Sequence, residues 1–170
     1  MNNQTEKFAG LEVRYTEPSD AYSLKEWLFD WDGGRWFPIS GDLELNDAVV
    51  RWISFSRYHC SITVLKEGVP CGIATLYLQP YDKLAHQCEF GIIVGKEHRN
   101  KSIGSYLMSC LIHLAKEKFN IEILHLQVYE NNPAIEFYRR FGFKEFGRQK
   151  GWIKEKDGSY ARLFMERSLK

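Results

Sequence analysis

The chain has 170 residues, a formal net charge of +1 at pH 7, 44% hydrophobic residues and 15% aromatic residues. Its length and apolar content are typical of one domain with a substantial core, which excludes a disordered chain. A net charge this small provides no broad basic field and argues against a dedicated nucleic-acid binder. We therefore expect a single domain over residues 1–170, in which the polar residues 1–10 are mobile.

The cysteines and the hydropathy pattern indicate the cellular setting. No apolar run approaches the roughly 18 residues that span a bilayer, and the polar N-terminus lacks the apolar segment of a signal peptide. The cysteines form no Cys-x-x-Cys pair, lack activating neighbours, and are typical of small buried residues in a reducing compartment. The scattered histidines show no metal-ligand spacing. We therefore expect a cytoplasmic protein with no metal and no membrane partner.

The N-terminal elements are predicted from periodicity and helix-start residues. Leu11–Tyr15 alternates apolar and polar side chains, which is typical of a half-buried strand. A helix is predicted over Ala21–Phe29, following a proline and an acidic residue. Asn46 or Asp47 is predicted to cap a second helix that runs to about residue 57.

A loop rich in glycine and aromatic residues is predicted between these helices, over residues 30–38. It contains Trp31, Trp36 and Phe37, together with several carboxylates. Two interpretations stay open at this point. The rings are either a packed aromatic surface over the core or a wall that binds an acceptor molecule, since loops of this composition often line ligand clefts.

The remainder of the chain is predicted to form strands and two more helices. Strands are predicted over residues 61–65, 71–78, 86–94, 121–129, 143–146 and 162–167, the first two joined by a hairpin turn at 66–68. The last two strands are expected to be joined by a longer excursion over residues 152–160. A strand–helix–strand crossover at 86–129 implies one parallel pair within a meander of antiparallel strands.

The turn after the strand that ends at Val94 is predicted to bind an anion. It leads into a helix that begins near Ile103, where the first backbone N–H groups have no intrahelical partner. The helix dipole adds partial positive charge at the same place, and Arg99 and Lys101 strengthen the field. The pattern therefore predicts a phosphate site at this turn.

Two motifs carry a family resemblance. The segment Arg99-Asn100-Lys101-Ser102-Ile103-Gly104 resembles the acetyl-CoA signature of GNAT N-acetyltransferases, Gln/Arg-x-x-Gly-x-Gly/Ala, with Ser102 in place of the first glycine. Residues 131–143 resemble the family pattern Asn-x-x-Ala-x-x-Leu-Tyr followed by Gly-Phe, with Phe137 in place of leucine. Either Asn131 or Asn132 takes the asparagine position.

The resemblance implies a fold. It is an α/β (α+β) acyl-CoA N-acyltransferase fold, with a mixed, mostly antiparallel sheet of six to seven strands and about four flanking helices. The parallel strands would splay apart at their C-terminal ends, with residues 86–146 as the acetyl-CoA-binding and catalytic core. Open α/β sheets bind ligands where the topology changes direction, which suits this arrangement.

The resemblance also implies a cofactor site. The pantetheine arm of acetyl-CoA would lie between the splayed strands, on the backbone of Ile92, Ile93 and Val94. The pyrophosphate and its surroundings would be held by a set of residues from the two motifs: Arg99, Asn100, Lys101, Ser102, Ile103, Gly104, Ser105, Asn131 and Asn132. Serine at a position that favours glycine is expected to weaken cofactor binding without abolishing it.

The chemistry implied is acyl transfer to an amine. Tyr138 matches the family's general acid and would protonate the sulfur of coenzyme A. A backbone N–H of Ile92 or Ile93 would polarise the thioester carbonyl. Glu89 is predicted either to be the base or to bind the acceptor's ammonium group or a structural arginine. Glu130 and a water chain are rival bases, whereas the neutral Gln127 is excluded.

We therefore predict an enzyme that moves the acetyl group of acetyl-CoA to a primary amine, by direct attack in a ternary complex. The amine is a small molecule, a peptide N-terminus or a lysine. Alternatives are a catalytically weak CoA-binding regulatory module, a transferase that uses another acyl-CoA, and a plain interaction domain. Exposed strands and the Trp152 region are compatible with a homodimer.

Overall fold

A computed structural model describes residues 8–30 and 34–170. Within them a seven-stranded sheet is formed by β1 (Leu11–Tyr15), β2 (Ser61–Lys66), β3 (Val69–Tyr77), β4 (Gln87–Val94), β5 (Ile123–Tyr129), β6 (Lys144–Glu155) and β7 (Gly158–Ser168). The strand order is β1-β2-β3-β4-β5-β7-β6. All neighbours are antiparallel except β4 and β5, which are parallel. The predicted mixed sheet is confirmed.

Four α-helices of seven or more residues lie in the described parts of the chain: α1 (Ala21–Phe29), α2 (Asp42–Ser54), α3 (Ile103–Phe119) and α4 (Ala134–Arg140). Their order along the chain is the predicted one. None of these helices combines the length and the apolar character that crossing a membrane requires. The hairpin turn between β2 and β3 is also as predicted, with Glu67 and Gly68 both at positive φ.

The largest boundary differences from the prediction concern α2 and β6. Helix α2 begins at Asp42, with Gly41 as its N-cap, so neither Asn46 nor Asp47 caps it. The excursion predicted over residues 152–160 is instead a long hairpin, because β6 runs to Glu155 and β7 begins at Gly158. Register shifts within β6 interrupt the alternation of its side chains. The strand therefore lacks the two-residue hydropathy period by which strands are predicted from sequence.

The sheet separates two apolar cores. On one face α3 and α4 pack against the sheet in a core that includes Leu107 and Leu111 of α3 and Phe143, each at most 2% exposed. On the other face α1 and α2 place Trp27 and Trp52 against the sheet. The side chains of β4 alternate between these cores, so that successive residues of this strand face opposite sides of the sheet.

The two edges of β4 differ in their pairing. Along β3, six residue pairs run from Gly72 and Val94 to Tyr77 and Glu89. Along β5, only three pairs form, and the last joins Glu89 to His125. Both strands continue beyond that point, to Val94 and Tyr129. The parallel strands therefore part, as the resemblance implied, and the C-terminal half of β4 has one unpaired edge.

Candidate active site

The gap between β4 and β5 opens into a cleft of about 1350 Å³. Its lining includes Glu89 and Gly91, which face the α1–α2 side, and Phe90 and Ile92, which face the α3–α4 side. Because residues from both faces line one cleft, the gap passes through the sheet. A ligand can therefore enter from one face and meet a second ligand that enters from the other.

The turn over residues 99–102, which we call the phosphate turn, has two residues in the left-handed region. Asn100 has φ 60° and Ser102 has φ 64°. The positive φ expected at Ser102 is therefore present, at a position where a non-glycine residue carries a conformational cost. The first intrahelical bond of α3 joins the Tyr106 N–H to the Ser102 carbonyl at 3.0 Å. The backbone N–H groups of residues 103–105 come before this first bond and therefore have no intrahelical acceptor.

The predicted residues of the phosphate turn are placed unequally. Arg99, Asn100 and Gly104 line the cleft, whereas Lys101 is exposed on the outer side of the turn. Ile103 is 1% exposed and belongs to the core, so only its backbone is available to a ligand.

The Arg99 guanidinium is engaged inside the protein. Its Nε donates a hydrogen bond to the Val94 carbonyl at 3.1 Å, and its Nη2 lies 3.6 Å from Asp30 Oδ2. Arg99 therefore adds less free positive charge to the turn than the sequence suggested. It instead ties the end of β4 to Asp30, the residue that follows α1. Sequence alone gave no signal for this long-range pair.

Helix α4 brings Tyr138 to the α3–α4 side of the gap. Asn132 lines the cleft, and its side-chain oxygen accepts a hydrogen bond from the Ala134 N–H at 2.8 Å. Asn131 is exposed and does not line the cleft. Of the two asparagines, Asn132 is therefore the one at the cleft, and it orders the start of α4. Gly142, with φ 81°, follows the end of this helix as the sequence indicated.

Tyr138 lies among aromatic rings at the cleft. Phe90, Phe137 and Phe143 contact it edge-on, with ring centroids 5.5–6.2 Å away. Burial raises the pKa of its phenol above the ordinary value. Within the described residues its hydroxyl has no hydrogen-bond partner. The phenol is therefore a neutral, uncommitted proton donor at ordinary pH.

Glu89 lies where the strands begin to part. Burial raises the pKa of its carboxyl, and a hydrogen bond from Gln127 and the charge of Arg162 oppose part of that rise. The Gln127 Nε2 donates to Glu89 Oε2 at 3.2 Å, and Arg162 donates in turn to the Gln127 carbonyl oxygen. Gln127, excluded as a base, thus orients the carboxylate.

Other carboxylates near the cleft are already paired. The rival base Glu130 accepts a hydrogen bond from the Ala161 N–H at 2.8 Å and forms an ion pair with Arg148. Asp47 pairs with Arg51 in the next turn of α2. Glu44 accepts a hydrogen bond from the Ser40 N–H. Of these carboxylates, Glu89 is therefore the one best placed to act on a ligand at the gap.

Two series of edge-to-face rings, together called the aromatic wall, surround Glu89 on the α1–α2 side. Trp36 contacts Tyr129, which contacts Trp152, with centroids 6.0 and 5.4 Å apart. Phe37 contacts Trp52, which contacts Tyr77, at 5.8 and 6.3 Å. All six rings line the cleft, including the predicted Trp36 and Phe37. Trp31 lies outside the described residues.

Sequence reasoning missed most of the aromatic wall. Trp52 and Tyr77 were assigned to a helix and a strand with no role at the site. Trp152 was assigned to an excursion, although its ring lies 4.9 Å from the Arg162 guanidinium carbon. The available signal was Gly91, a strand residue that leaves space for a large neighbouring side chain, and Tyr77 lies diagonally across the β3–β4 pairing from it.

The cysteines and histidines form no rival site. Cys60, Cys71 and Cys88 are buried and all four thiols are free. Burial raises the pKa of Cys60 to about 11 and that of Cys88 to about 12, which makes both poor nucleophiles. Among the described residues, no cluster of three or more metal-ligating side chains occurs.

Comparisons with known proteins agree with this geometry. Residues 5–143 match the Acetyltransferase (GNAT) family. The L-amino acid N-acetyltransferase AaaT of Escherichia coli (strain K12) is 29% identical over 85 residues, which are 49% of this chain and 52% of AaaT. The match thus spans about half of AaaT. YwnH of Bacillus subtilis (strain 168), provisionally named a phosphinothricin acetyltransferase, is 28% identical over 146 residues, covering 84% of this chain and 74% of YwnH.

A solved structure shows the same fold. The protein yncA of Salmonella typhimurium, whose structure contains its cofactor acetyl-CoA, superposes with a TM-score of 0.78 over 95% of each chain, at 17% identity. At that identity the likeness shows the fold alone.

Proposed function

The chain belongs to the GNAT family of acetyltransferases, and from that premise we propose that it transfers the acetyl group of acetyl-CoA directly to a primary amine. The observation that carries this proposal is the gap through the sheet. A neutral phenol, Tyr138, lines one side of it, and a carboxylate, Glu89, lies on the other. Two substrates that meet at such a gap react without a covalent enzyme intermediate.

The open edge of β4 fits the elongated arm of coenzyme A. Beyond Glu89 the backbone of β4 has no partner on the β5 side, so its peptide groups are available to an inserted ligand. Ile92 and Val94 border this edge within the cleft. The phosphate turn and the first N–H groups of α3 would hold the pyrophosphate. A backbone N–H of β4 would stabilise the oxyanion that forms during transfer.

Tyr138 is the proposed general acid. The departing thiolate needs a proton, and the desolvated phenol keeps its own proton at neutral pH because its pKa is raised. The rings of Phe90 and Phe137 pack against the ring of Tyr138, and its hydroxyl has no hydrogen-bond partner among the described residues. The phenol is thus directed to the ligand rather than to a structural partner.

Glu89 is the proposed base. The amine must attack in its neutral form, and a carboxyl whose pKa lies above the usual range accepts a proton more readily than an exposed glutamate. Gln127 holds one carboxylate oxygen. The other oxygen is left for the amine or for a water molecule that reaches it.

The aromatic wall supports a small acceptor amine with an apolar body. Six rings line the cleft that also contains Glu89, and the two acidic residues of α2 that line it, Glu44 and Asp47, are already engaged. A polyamine would lack free carboxylates for its additional charges. The relatives AaaT and YwnH carry names that refer to amino acids or an amino-acid analogue, which guides the choice of acceptors to test.

The experiment is a thiol-release assay with acetyl-CoA and a panel of amines. The panel contains L-methionine, L-phenylalanine, 2-phenylethylamine, spermidine and a peptide with N-terminal alanine. We expect turnover with one or more of the apolar amines, and less with spermidine. Acetyl-CoA binding in calorimetry without thiol release for any amine would favour a regulatory module. Faster release from propionyl-CoA or butyryl-CoA would favour a different acyl donor.

A further inference from the structure

The phenol of Tyr77 lies against Gly91 of β4, inside the cleft. A Cβ atom built on Gly91 would lie 2.4 Å from the Tyr77 hydroxyl oxygen and 2.7 Å from a ring carbon of Trp52. The hydroxyl therefore occupies the space that a side chain at Gly91 would fill. The absence of a side chain on this residue of β4 is what allows the phenol to approach the strand.

The Tyr77 side chain is partly buried, and its hydroxyl has no hydrogen-bond partner among the described residues. Its ring is held between Trp52 and Phe55, with centroids 6.3 and 5.2 Å away. Within residues 8–30 and 34–170 the hydroxyl forms no hydrogen bond. The hydroxyl keeps contact with solvent, since among the described residues the one buried side-chain oxygen or nitrogen without a hydrogen-bond partner belongs to Asp30. Tyr77 also lines the cleft, so a ligand can supply the missing partner.

The position of Tyr77 relative to the other site residues is informative. Tyr77 is the register partner of Glu89 across the β3–β4 pairing, so both side chains are on the α1–α2 face. Tyr138 instead packs against Phe90, whose side chain is on the opposite face. Two phenols thus flank β4 at adjacent residues, one on each side of the sheet.

We propose that the Tyr77 hydroxyl binds the acceptor amine and aims its lone pair at the thioester carbon. This inference rests on the proposed function and adds a residue to it. The Tyr77 oxygen accepts a hydrogen bond from one N–H of the neutral primary amine, while the second N–H is directed to Glu89. With both N–H groups held, the nitrogen lone pair points across Gly91 into the gap.

The proposed step balances with residues already described. The amine nitrogen forms a bond to the carbonyl carbon, and the carbon–sulfur bond breaks when the carbonyl re-forms. One proton leaves the nitrogen for Glu89, and Tyr138 supplies one proton to the sulfur. Tyr77 is unchanged, because it only accepts and releases a hydrogen bond. Burial raises the pKa of its phenol, which keeps it neutral beside Glu89.

The test uses Tyr77→Phe, which removes one oxygen and keeps the ring between Trp52 and Phe55. With the acceptor that shows the highest kcat/KM in the amine panel, we expect kcat/KM for the amine to fall about tenfold, as for loss of one hydrogen bond at a site of catalysis. The Kd of acetyl-CoA, measured by calorimetry, should stay within about twofold of the wild type. Tyr58→Phe, which alters an exposed phenol outside the cleft, is the matched control and should change neither quantity.

A second readout separates hydrogen bonding from packing. The wild type should prefer the primary amine over its N-methyl derivative, which has one N–H fewer, and Tyr77→Phe should lose most of that preference. An unchanged kcat/KM or an unchanged preference would overturn the role of Tyr77. An equal fall in acetyl-CoA affinity would also overturn it, since that result indicates distortion of β4. Failure of the wild type to acetylate any amine would instead refute the proposed function.

Discussion

The two edges of β4 show how one strand serves two purposes. On the β3 edge, six residue pairs join it to a strand whose Ile73 is fully buried. On the β5 edge, pairing ends after three residues. The closed edge fixes the position and twist of the strand, whereas the open edge leaves peptide groups for a ligand. Pairing with β3 holds β4 in position, so that its β5 edge can stay unpaired without displacing the strand.

This comparison predicts that substitutions at the open edge change activity, while those at the closed edge change stability. The largest effect is expected for Tyr138→Phe, which removes the proposed acid. Turnover should fall by about 100-fold or more, the usual contribution of a general acid. Melting temperature and acetyl-CoA affinity should stay near wild-type values, because the ring and its contacts are kept. A turnover equal to that of the wild type would remove Tyr138 from the mechanism.

The closed edge is tested by Ile73→Ala. Ile73 faces the α1–α2 core beside its register partner Ile93, and its truncation leaves a cavity. We expect the free energy of unfolding to fall by about 3 kcal/mol, within the range measured for such changes. The check is a urea or thermal melt, with Val69→Ala at an exposed position of the same strand as control. Equal losses for both variants would contradict the packing explanation.

The boundary between the two edges is tested by Glu89→Gln. Activity of the wild type should rise with pH as the Glu89 carboxyl loses its proton, at a pH above the usual glutamate pKa of about 4.3 because burial raises this pKa. The variant should lose about 10- to 100-fold in kcat/KM, together with that acidic limb of the pH profile. An unchanged acidic limb in the variant would assign the limb to another group.

The smallest effect is expected at Ser102, beyond the open end of β4. Replacing Ser102 by glycine relieves a positive φ of 64° that costs a serine on the order of 1 kcal/mol. If this strain is greater with the cofactor bound than without it, the variant should bind acetyl-CoA more tightly, by up to about tenfold. Calorimetry measures the change directly. Weaker binding would show that the hydroxyl contributes more to the phosphate than the backbone strain costs.

The α3–α4 side of the site was largely predictable from sequence. The phosphate turn, the start of α3 and the helix that carries Tyr138 are encoded by contiguous residues, because local helix starts and turns define them. The parting of the strands also followed from the resemblance of these motifs. Their side-chain partners were less accessible. That Arg99 engages Asp30, far away in sequence, depends on tertiary packing alone.

The α1–α2 side was predicted poorly for a physical reason. Its rings come from five separate segments, and an aromatic residue on a strand or helix has the same sequence pattern whether it faces a core or a cleft. Trp36 and Phe37 stood out because they lie in a loop. Tyr77 did not, since its importance comes from the missing side chain of Gly91, which only strand register reveals.

The outermost strand of the sheet has a further consequence for self-association. Strand β6 is one end of the sheet, bears four basic residues, and is interrupted by two register shifts. The opposite end, β1, is only five residues long. Charged, irregular or short borders discourage the addition of strands from other molecules, which is the first step of fibril growth. The sheet can therefore have a gap between β4 and β5 while its edge strands, β1 and β6, resist aggregation.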